Sequence, residues 1–243
     1  MSDPYFGNVV ALLHCDGSNG STTFTDVKGH TFTANGNAQI STVQSKFGSS
    51  SYLGDGIGDS ITSVDSTDWA FGSTDFTLEG WFRFTAISGI TGLFCKRATT
   101  AVYGPFNIYI DNADNKIHVL ASTSGSTWDL AITCTTVLSV NTWYHIAIVR
   151  SGTSFKAYLN GTQDGSSTLS GSLYVNTGAL SVGAGAADSS NSLNGYIDDI
   201  RITKGVARYT SNFSVPTVAF DNSAETYPLA YQHFSALDTI TRM

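Results

Sequence analysis

Short runs of β-branched and aromatic residues recur along the chain, separated by clusters of Gly, Asn, Asp and Ser. The runs cover residues 9–14, 76–84, 92–97, 106–111, 116–122, 129–136, 143–151, 154–162, 179–185 and 195–203. Short strands with frequent turn signals, and with no amphipathic helical pattern between them, are typical of sandwiches and barrels. The pattern therefore predicts an all-β protein.

Two turns in this pattern predict β-hairpins. The first joins the runs 106–111 and 116–122 across Asn112–Asn115. The second contains Asn160 and Gly161, and an Asn-Gly pair between two apolar runs is a strong hairpin signal because both residues tolerate positive φ. Both hairpins predict antiparallel pairing of the strands that they join.

Alternation within the runs predicts which side chains share a face of a sheet, because residues two positions apart point to the same side of a strand. In the run TLEGWFRF, the two faces are Leu78, Phe82 and Phe84 against Thr77, Glu79, Trp81 and Arg83. In WYHIAIVR both faces are partly apolar. We therefore expect a central strand with one face in the core and the other covered by loops or lining a shallow groove.

Composition and charge narrow the class of partner. The chain has 12 Lys and Arg against 19 Asp and Glu, a net charge of −7, and no cluster of cations. Nucleic-acid binding needs several cations on one face, so we expect none. No apolar run approaches the roughly 18 residues of a membrane span, so we expect no membrane insertion. Three cysteines without CxxC spacing predict buried free thiols.

The ends of the chain differ from the middle. We interpret residues 1–7 as an N-terminal arm, residues 8–218 as one β domain and residues 219–243 as a C-terminal tail without strand alternation. The tail aromatics favour a docking segment, and the alternative is a tail that packs on its own domain. The N-terminus lacks the basic region and apolar run of a signal peptide, so the expected location is the cytoplasm in which the protein is made.

Several stretches, in this order, resemble the laminin G-like members of the concanavalin A-like lectin/glucanase superfamily. They are ALLHCDGSNGSTTFTDVKGH, SKFGSSSYLGDGIGDSI, DFTLEGWFRF, NTWYHIAIVRSGTSFKAYLNGTQ, LSVGAG and NGYIDDIRITKGVARYTSNFSVPT. The resemblance covers residues 9–216 and implies a two-sheet antiparallel jelly-roll sandwich. It also implies a domain that binds glycans or proteins, often with a structural calcium ion, since only some members are glycosidases.

The closing string IDDIRITKGVARYTSNFSVPT is especially similar to laminin G-like modules in tailed-phage virion proteins. This resemblance implies a virion structural, decoration or tail-associated protein, with other virion proteins, copies of itself or host-surface glycans as partners. Location in a virion would also explain the missing signal peptide, because virion proteins leave the host by lysis. A free-standing glycan-binding lectin module is the alternative.

Catalysis is not expected. A glycosidase needs two carboxylates that flank the scissile bond, about 5–9.5 Å apart. The glucanase members carry them on one strand as E-x-D-x-E, and the chain has no such string. Glu79 is isolated in the sequence, and the adjacent Asp198 and Asp199 should point to opposite faces of a strand. A glycosidase is therefore a remote alternative that rests on the superfamily alone.

Calcium is the cofactor that the resemblance favours. The first strand ends in Asp16 and the following loop contains Asp26, while the last strand carries Asp198 and Asp199. The first and last strands of jelly rolls commonly lie side by side, and Ca²⁺ binds six to eight oxygens, so these four acids are the predicted ligands. The alternatives are the loop at residues 54–59, or no metal, with the acids capping turns and pairing with arginine.

Aromatic residues in surface loops are the candidate glycan contacts, because binding residues concentrate on loops held by a rigid scaffold. Trp128 lies beside Ser and Thr in SGSTWDL and should be the most exposed. Tyr103 and Trp69 complete the candidate set. We interpret Trp81 and Trp143 as structural, since large aromatic side chains dominate sandwich cores.

Overall fold

The computed structural model describes residues 3–223, which form two antiparallel sheets. The strands are β1 (Val9–Leu13), β2 (Thr23–Thr25), β3 (Thr31–Asn35), β4 (Gln39–Ser41), β5 (Ser51–Asp55), β6 (Ser60–Ser63), β7 (Phe76–Ala86), β8 (Thr91–Lys96), β9 (Phe106–Asp111), β10 (Lys116–Ala121), β11 (Leu130–Thr133), β12 (Trp143–Ser151), β13 (Ser154–Leu159), β14 (Thr162–Thr168), β15 (Leu180–Val182) and β16 (Asn194–Lys204). Short 3₁₀ helices form at Phe6–Asn8 and Thr67–Trp69. No helix of this part of the chain is long and apolar enough to cross a membrane.

The two sheets have eight strands each and lie face to face. Sheet A has the order β14-β13-β12-β7-β16-β5-β4, with β1 also paired to β16. Sheet B has the order β11-β10-β9-β8-β15-β6-β3-β2. The predicted two-sheet antiparallel jelly-roll sandwich is confirmed.

Both predicted hairpins are present. Strands β9 and β10 pair across a turn in which Asn115 has a φ of 53°. Strands β13 and β14 pair across Asn160 and Gly161, whose φ values are 48° and 79°. Gly161 also lets another segment approach, because its carbonyl accepts a hydrogen bond from the backbone N–H of Phe213 at 2.9 Å and a Cβ would collide there. The hairpin tip therefore anchors the segment that follows β16.

The core lies between the sheets and follows the predicted alternation. Leu78, Phe82 and Phe84 of β7 are fully buried, as predicted for one face of that strand. Phe82 meets Phe94 of sheet B edge to face, with ring centroids 5.6 Å apart. Burying an aromatic side chain of this size contributes about 1.5–3 kcal/mol, so these contacts hold the layers together. The three cysteines are buried free thiols, as predicted.

The outer face of sheet A is covered by the chain itself. Ala147 and Val149 of β12 and Tyr158 of β13 form a small apolar cluster on this face. The segment 205–223, which we call the strap, contributes Tyr209 and Phe213 to that cluster. The expectation that the second face of β12 is covered is therefore confirmed.

The N-terminal arm and the strap meet. The backbone N–H of Asp3 donates to the carbonyl of Ser223 at 3.2 Å, and Phe220 packs against Val9 and Leu12. The first residues of the predicted tail, 219–223, thus pack on the domain through Phe220, and the tail assignment beyond them stays a prediction. The tail aromatics Tyr227, Tyr231 and Phe234, on which the docking prediction depends, lie outside the described residues.

A β-bulge interrupts β16. Asp198 pairs with Trp81 of β7 and Arg201 pairs with Glu79, so β16 has one extra residue in this stretch. Asp199 occupies the bulge with a φ of 49°. The expectation that Asp198 and Asp199 face opposite sides is wrong, because the bulge breaks the alternation and both carboxylates bond to segments outside sheet A.

Candidate functional site

An open cleft lies at a rim of sheet B, between the β8–β9 loop and the β10–β11 loop. The rings of Tyr103 and Trp128 meet there edge to face, with centroids 5.1 Å apart, and the guanidinium of Arg97 lies 5.8 Å from the Trp128 centroid. Tyr103 is 37% exposed and Trp128 is half-buried. The cleft measures about 140 Å³ and is lined by Arg97, Thr100, Ala101, Val102, Tyr103 and Trp128. Two of the three predicted aromatic residues are therefore neighbours.

Asp129 fixes the turn that presents Trp128. One of its carboxylate oxygens accepts hydrogen bonds from the backbone N–H and the hydroxyl of Thr123, both at 2.7 Å. The other accepts from the hydroxyl of Thr127 at 2.7 Å. These bonds, first of all that from the Thr123 backbone, lower the pKa of Asp129 to about 2. Such local side-chain bonds stabilise turns, so Trp128 is held by an ordered turn.

Arg97 forms the buried side of the cleft. Its Nε donates to the carbonyl of Gly185 at 2.7 Å, and one Nη donates to the carbonyl of Thr100 at 3.3 Å. The backbone of Ala187 donates to the Arg97 carbonyl at 2.9 Å, so the β15–β16 loop holds this residue in place. Burial lowers the pKa of Arg97. The sequence carried no signal of this role, because Arg97 follows the apolar strand β8 without a nearby motif.

Two larger clefts have poorer binding chemistry. One, of about 340 Å³, lies beside the strap and is lined in part by Arg201, Arg208 and Asp3, whose charges are already paired. The other, of about 360 Å³, is lined by Gly, Ser, Asn and Ile side chains of residues 56–58, 88–90 and 189–192. It has no charged or aromatic lining residue. Of these three clefts, the one at Tyr103 and Trp128 is therefore the one in which partly exposed aromatic rings lie next to an arginine that has no carboxylate partner among residues 3–223.

Trp69 does not belong to a surface site. It is fully buried, its Nε1 donates to the carbonyl of Val64 at 3.0 Å, and its ring packs against Phe32 and His30. The prediction that Trp69 contacts a glycan is therefore wrong, because its ring is part of the core. The cause is local: the side chain of Ser66 caps the 3₁₀ helix that turns Trp69 inward.

Asp26 does not join the other predicted calcium ligands. Its carboxylate accepts backbone hydrogen bonds from Leu12 at 2.7 Å, from Lys28 at 3.1 Å and from His30 at 2.9 Å. These donors satisfy both oxygens and fix the turn after β2. Asp26 thus has a structural role in this turn.

Asp199 is also satisfied by protein groups. One oxygen lies 2.6 Å from Nδ1 of His14, and the other accepts the backbone N–H of Phe220 at 2.7 Å. The hydrogen bond with Asp199 raises the pKa of His14. Asp199 therefore joins the first strand to the strap.

Asp198 is the exception among these acids. One oxygen accepts the backbone N–H groups of residues 46–47 at 2.7 and 3.0 Å, while its Oδ1 is buried without a hydrogen-bond partner among the described residues. Burial raises the pKa of Asp198 to about 7, and the charges of Asp199 and Asp16 act in the same direction. A carboxylate that is 1% exposed with one unpaired oxygen resists ionisation.

The four acids do not form the predicted calcium ligand set. Within residues 3–223, no group of three or more His, Cys, Asp or Glu side chains is arranged to hold a metal ion. In the alternative loop, Asp59 accepts the backbone N–H groups of Asn37 and Asp55 at 2.5 and 2.6 Å. Asp26, Asp199 and Asp59 thus use both carboxylate oxygens on protein donors, which leaves them poorly suited to Ca²⁺. Asp16 accepts a single 3.4 Å contact from the backbone N–H of Ser49, and Oδ1 of Asp198 has no partner among the described residues, so calcium binding stays a prediction.

Glu79 is the centre of a buried charged cluster on the outer face of sheet A. It accepts hydrogen bonds from Nε of Arg201 at 2.9 Å and from the hydroxyl of Tyr209 at 2.8 Å, and Nε2 of His145 lies 3.2 Å away without hydrogen-bond alignment. Burial opposes ionisation, but the charge of Arg201 and the contact with His145 outweigh it and lower the pKa of Glu79 to about 2. Glu79 is a buried counter-ion.

Asp3 of the N-terminal arm completes this cluster. Its carboxylate accepts from Arg201 at 3.1 Å and from two nitrogens of Arg208 at 3.0 and 2.8 Å. Burial opposes ionisation, yet these arginines lower the pKa of Asp3. The residues come from opposite ends of the chain, so the sequence offered no signal for this cluster.

Comparisons with known proteins agree with the observed fold. A laminin G-type model of the concanavalin A-like lectin/glucanases superfamily matches residues 55–208. No curated protein matches the chain.

Solved structures with this fold include binding domains and an enzyme. The binding domain of Paraclostridial Mosquitocidal Protein 1 matches with a TM-score of 0.62 at 17% identity, over 83% of this chain and 50% of that one. The binding domain of Botulinum Neurotoxin DC in complex with SialylT matches at 0.56 and 13%, over 83% and 49%. Trypanosoma rangeli sialidase matches at 0.58 and 13%, over 82% and 31%.

These identities show likeness of fold alone, and the chain spans about half the length of the toxin domains and 31% of the sialidase. The family model, in contrast, matches more than half of this chain. Its match and the two facing antiparallel sheets agree. The chain therefore belongs to the concanavalin A-like lectin/glucanase superfamily.

Proposed function

We propose that this protein is a non-catalytic glycan-binding module and that the sugar binds in the cleft between Tyr103 and Trp128. The observation that carries the proposal is the pair of aromatic rings, 5.1 Å apart, at the mouth of an open cleft with a guanidinium on its buried side. An aromatic face can pack against the apolar face of a sugar ring, while a few polar groups fix its orientation.

The fold adds support from its relatives. The superfamily contains lectins, and the Botulinum Neurotoxin DC binding domain with this fold was solved in complex with SialylT. Loops on a rigid sandwich are also where binding residues concentrate. Both loops of the cleft are held by hydrogen bonds of Asp129 and Arg97, so the site is largely formed before a ligand arrives.

The absence of catalysis is part of the proposal. A glycosidase needs two accessible carboxylates across a cleft, one of them protonated near neutral pH. Glu79 has a pKa of about 2, so it is ionised near neutral pH and cannot donate a proton, and it is fully buried, so it cannot reach a substrate as a nucleophile or base. Asp198 has a pKa of about 7 but is only 1% exposed.

We further propose that the module is displayed on a phage virion, as a structural, decoration or tail-associated part that contacts host-surface glycans. The similarity of IDDIRITKGVARYTSNFSVPT to virion modules supports this setting, and that string includes much of the strap. Mass spectrometry of purified particles tests it: the protein should copurify with particles in a fixed stoichiometry, and its absence from them would overturn the virion setting.

A glycan array tests the binding function directly. Wild-type protein should bind a defined set of glycans, and Trp128→Ala should weaken that binding at least about tenfold because it removes a central aromatic contact. Trp143→Ala is the matched control, since Trp143 is a half-buried tryptophan of sheet A outside the cleft. Equal binding by the Trp128→Ala variant, or no binding by wild-type protein to a broad array, would refute the proposal.

A further inference from the structure

Buried cationic side chains usually have a partner in this fold. Lys96 forms an ion pair with Asp65 at 2.7 Å. Arg201 forms ion pairs with Glu79 at 2.9 Å and with Asp3 at 3.1 Å. A buried charge is costly unless it is paired and hydrogen-bonded, so these contacts are the expected solution.

Arg150 shows a second solution, without a carboxylate. Its Nε donates to the carbonyl of Gly152 at 2.9 Å, and its two Nη atoms donate to the carbonyls of Gly72 and Gly171, each at 2.6 Å. Every nitrogen of this guanidinium therefore has an acceptor. Arg150 is 2% exposed and has no role at an open surface.

Within the described part of the chain, Arg97 is buried but has neither a carboxylate partner nor a carbonyl acceptor for every nitrogen of its guanidinium. It is 6% exposed, and no Asp or Glu among residues 3–223 forms an ion pair with it. Nε and one Nη meet carbonyls, which leaves the second Nη without a carbonyl or carboxylate in that part of the chain. Two acidic groups act on its charge first: the buried thiol of Cys95, whose burial raises its pKa to about 12 so that it stays neutral, and the exposed carboxylate of Asp188, which forms no ion pair with Arg97. A buried cation at an open cleft thus lacks its anion.

We infer that the sugar bound in this cleft carries an acidic group, a carboxylate or a sulfate, which pairs with the guanidinium of Arg97 while the sugar ring rests against Trp128 or Tyr103, and this rests on the glycan-binding function proposed above. Guanidinium groups bind planar carboxylates and sulfate-like oxyanions through parallel N–H donors, and the bonds are strong in a desolvated site. The ligand then supplies the counter-ion that the fold omits.

One acid near the cleft could oppose such a ligand. Asp129 adjoins Trp128, but its oxygens are turned toward the Thr123 and Thr127 donors and it is exposed, so water and salt screen its charge. Arg97, in contrast, is shielded from water, where a charge–charge contact is screened less. The buried cation therefore dominates recognition inside the cleft.

Matched pairs of glycans test the inference: 3′-sialyllactose against lactose, a glucuronate-terminated against a glucose-terminated disaccharide, and a sulfated against an unsulfated disaccharide. Titration calorimetry on the wild-type protein should show at least one acidic member binding about tenfold or more tighter than its neutral partner. That preference should shrink as salt rises. The pair with the largest ratio identifies whether a carboxylate or a sulfate is recognised.

Variants separate the cation from the aromatic rings. Arg97→Gln should abolish the preference for the acidic sugar, whereas Trp128→Ala should weaken the acidic and neutral members alike. Binding of neutral and acidic sugars with equal affinity would overturn the role of Arg97 and leave the glycan-binding function intact. Failure of every glycan to bind would overturn both. If Arg97→Gln does not fold, the affinity ratio and salt dependence of the wild-type protein still decide.

Discussion

The outer face of sheet A and the aromatic cleft of sheet B both combine aromatic rings with buried arginine, yet one is closed and the other is open. On the outer face, Arg201 and the strap residue Arg208 form ion pairs with Glu79 and Asp3, and Tyr209 of the strap donates to Glu79. At the cleft, Arg97 has no carboxylate partner within the described residues, and the surrounding rings are partly exposed. The difference is whether the fold supplies the partner of the charge.

Buried charges that are paired within the fold and buried charges that are not have different roles. A buried ion pair adds little net stability, but removing one partner leaves an uncompensated charge and is strongly destabilising. The outer face of sheet A is therefore built to stay closed. A buried charge without an internal partner instead marks a place where an external group can improve the electrostatics.

The largest expected effect is on the closed region. Glu79→Gln removes the carboxylate that pairs with Arg201 and should lower the free energy of unfolding by about 3–5 kcal/mol, as measured by urea denaturation. Arg97→Gln should cost less than half as much, because it removes a charge that has no internal counter-ion. Equal costs for the two variants would contradict the comparison.

The pH dependence of the free energy of unfolding tests the same ion pair. Glu79 has a folded pKa of about 2 against an ordinary value of 4.5, so its stabilising contribution is complete above about pH 4.5 and is lost as the pH falls toward 2. The pKa of Asp3 is lowered in the same sense. Acid should therefore weaken wild-type protein more than Glu79→Gln.

The next largest expected effect, that of Asp198→Asn, is an increase in stability. The folded pKa of Asp198 is about 7 against an ordinary value of 3.8, so this group costs stability as the pH rises from about 4 through 7. Asp198→Asn keeps an acceptor for residues 46–47 and removes that cost. It should therefore stabilise the protein by about 1–4 kcal/mol at pH 8, with little gain at pH 4. Destabilisation at pH 8 would show that the carboxylate has a cationic partner.

A substitution in the cleft should reduce the affinity for glycan more than the stability of the fold. Trp128→Ala loses an edge-to-face contact with Tyr103, which is worth about 1 kcal/mol, so its thermal midpoint should change little. Its affinity for a bound glycan should nevertheless fall about tenfold or more. A large loss of stability in this variant would make Trp128 a structural residue like Trp69.

The smallest expected effect concerns calcium. The oxygens of Asp26 and Asp199 are already occupied by protein donors, so neither millimolar Ca²⁺ nor a chelator should move the thermal midpoint of the wild-type protein appreciably. A calcium-dependent rise that is lost in Asp198→Asn would instead place the ion at the unpaired oxygen of Asp198.

Much of the fold was readable from the sequence, because the core strands carry dense runs of β-branched and aromatic residues between turn signals, and strands such as β10 alternate in burial. The runs at 106–111 and 143–151 coincide with β9 and β12. Strands β2–β6 were not predicted, since each has only one or two apolar residues among polar ones and glycine. The edge strand β14 is mostly polar, and only the hairpin turn at Asn160 and Gly161 predicted that a strand follows it.

The aromatic cleft could be predicted only in part from the sequence. Trp128 and Tyr103 were found because they lie in polar, turn-forming surroundings. Trp69 lies in similar surroundings, but a capped 3₁₀ helix directs it into the core. The state of Arg97 and the pairing of Asp3 with Arg201, 198 residues away, depend on distant parts of the chain that only the fold brings together.

The indole N–H signals of the four tryptophans offer the most direct test of where this protein binds. Trp69 and Trp81 are buried and Trp143 lies in sheet A, whereas Trp128 lines the cleft. In a ¹H–¹⁵N titration with the tightest acidic glycan, the Trp128 indole and the Nε–H of Arg97 should shift together and saturate, while the other three indoles stay still. Saturable shifts at Trp81 or Trp143 with Trp128 unchanged would contradict the assignment of the cleft.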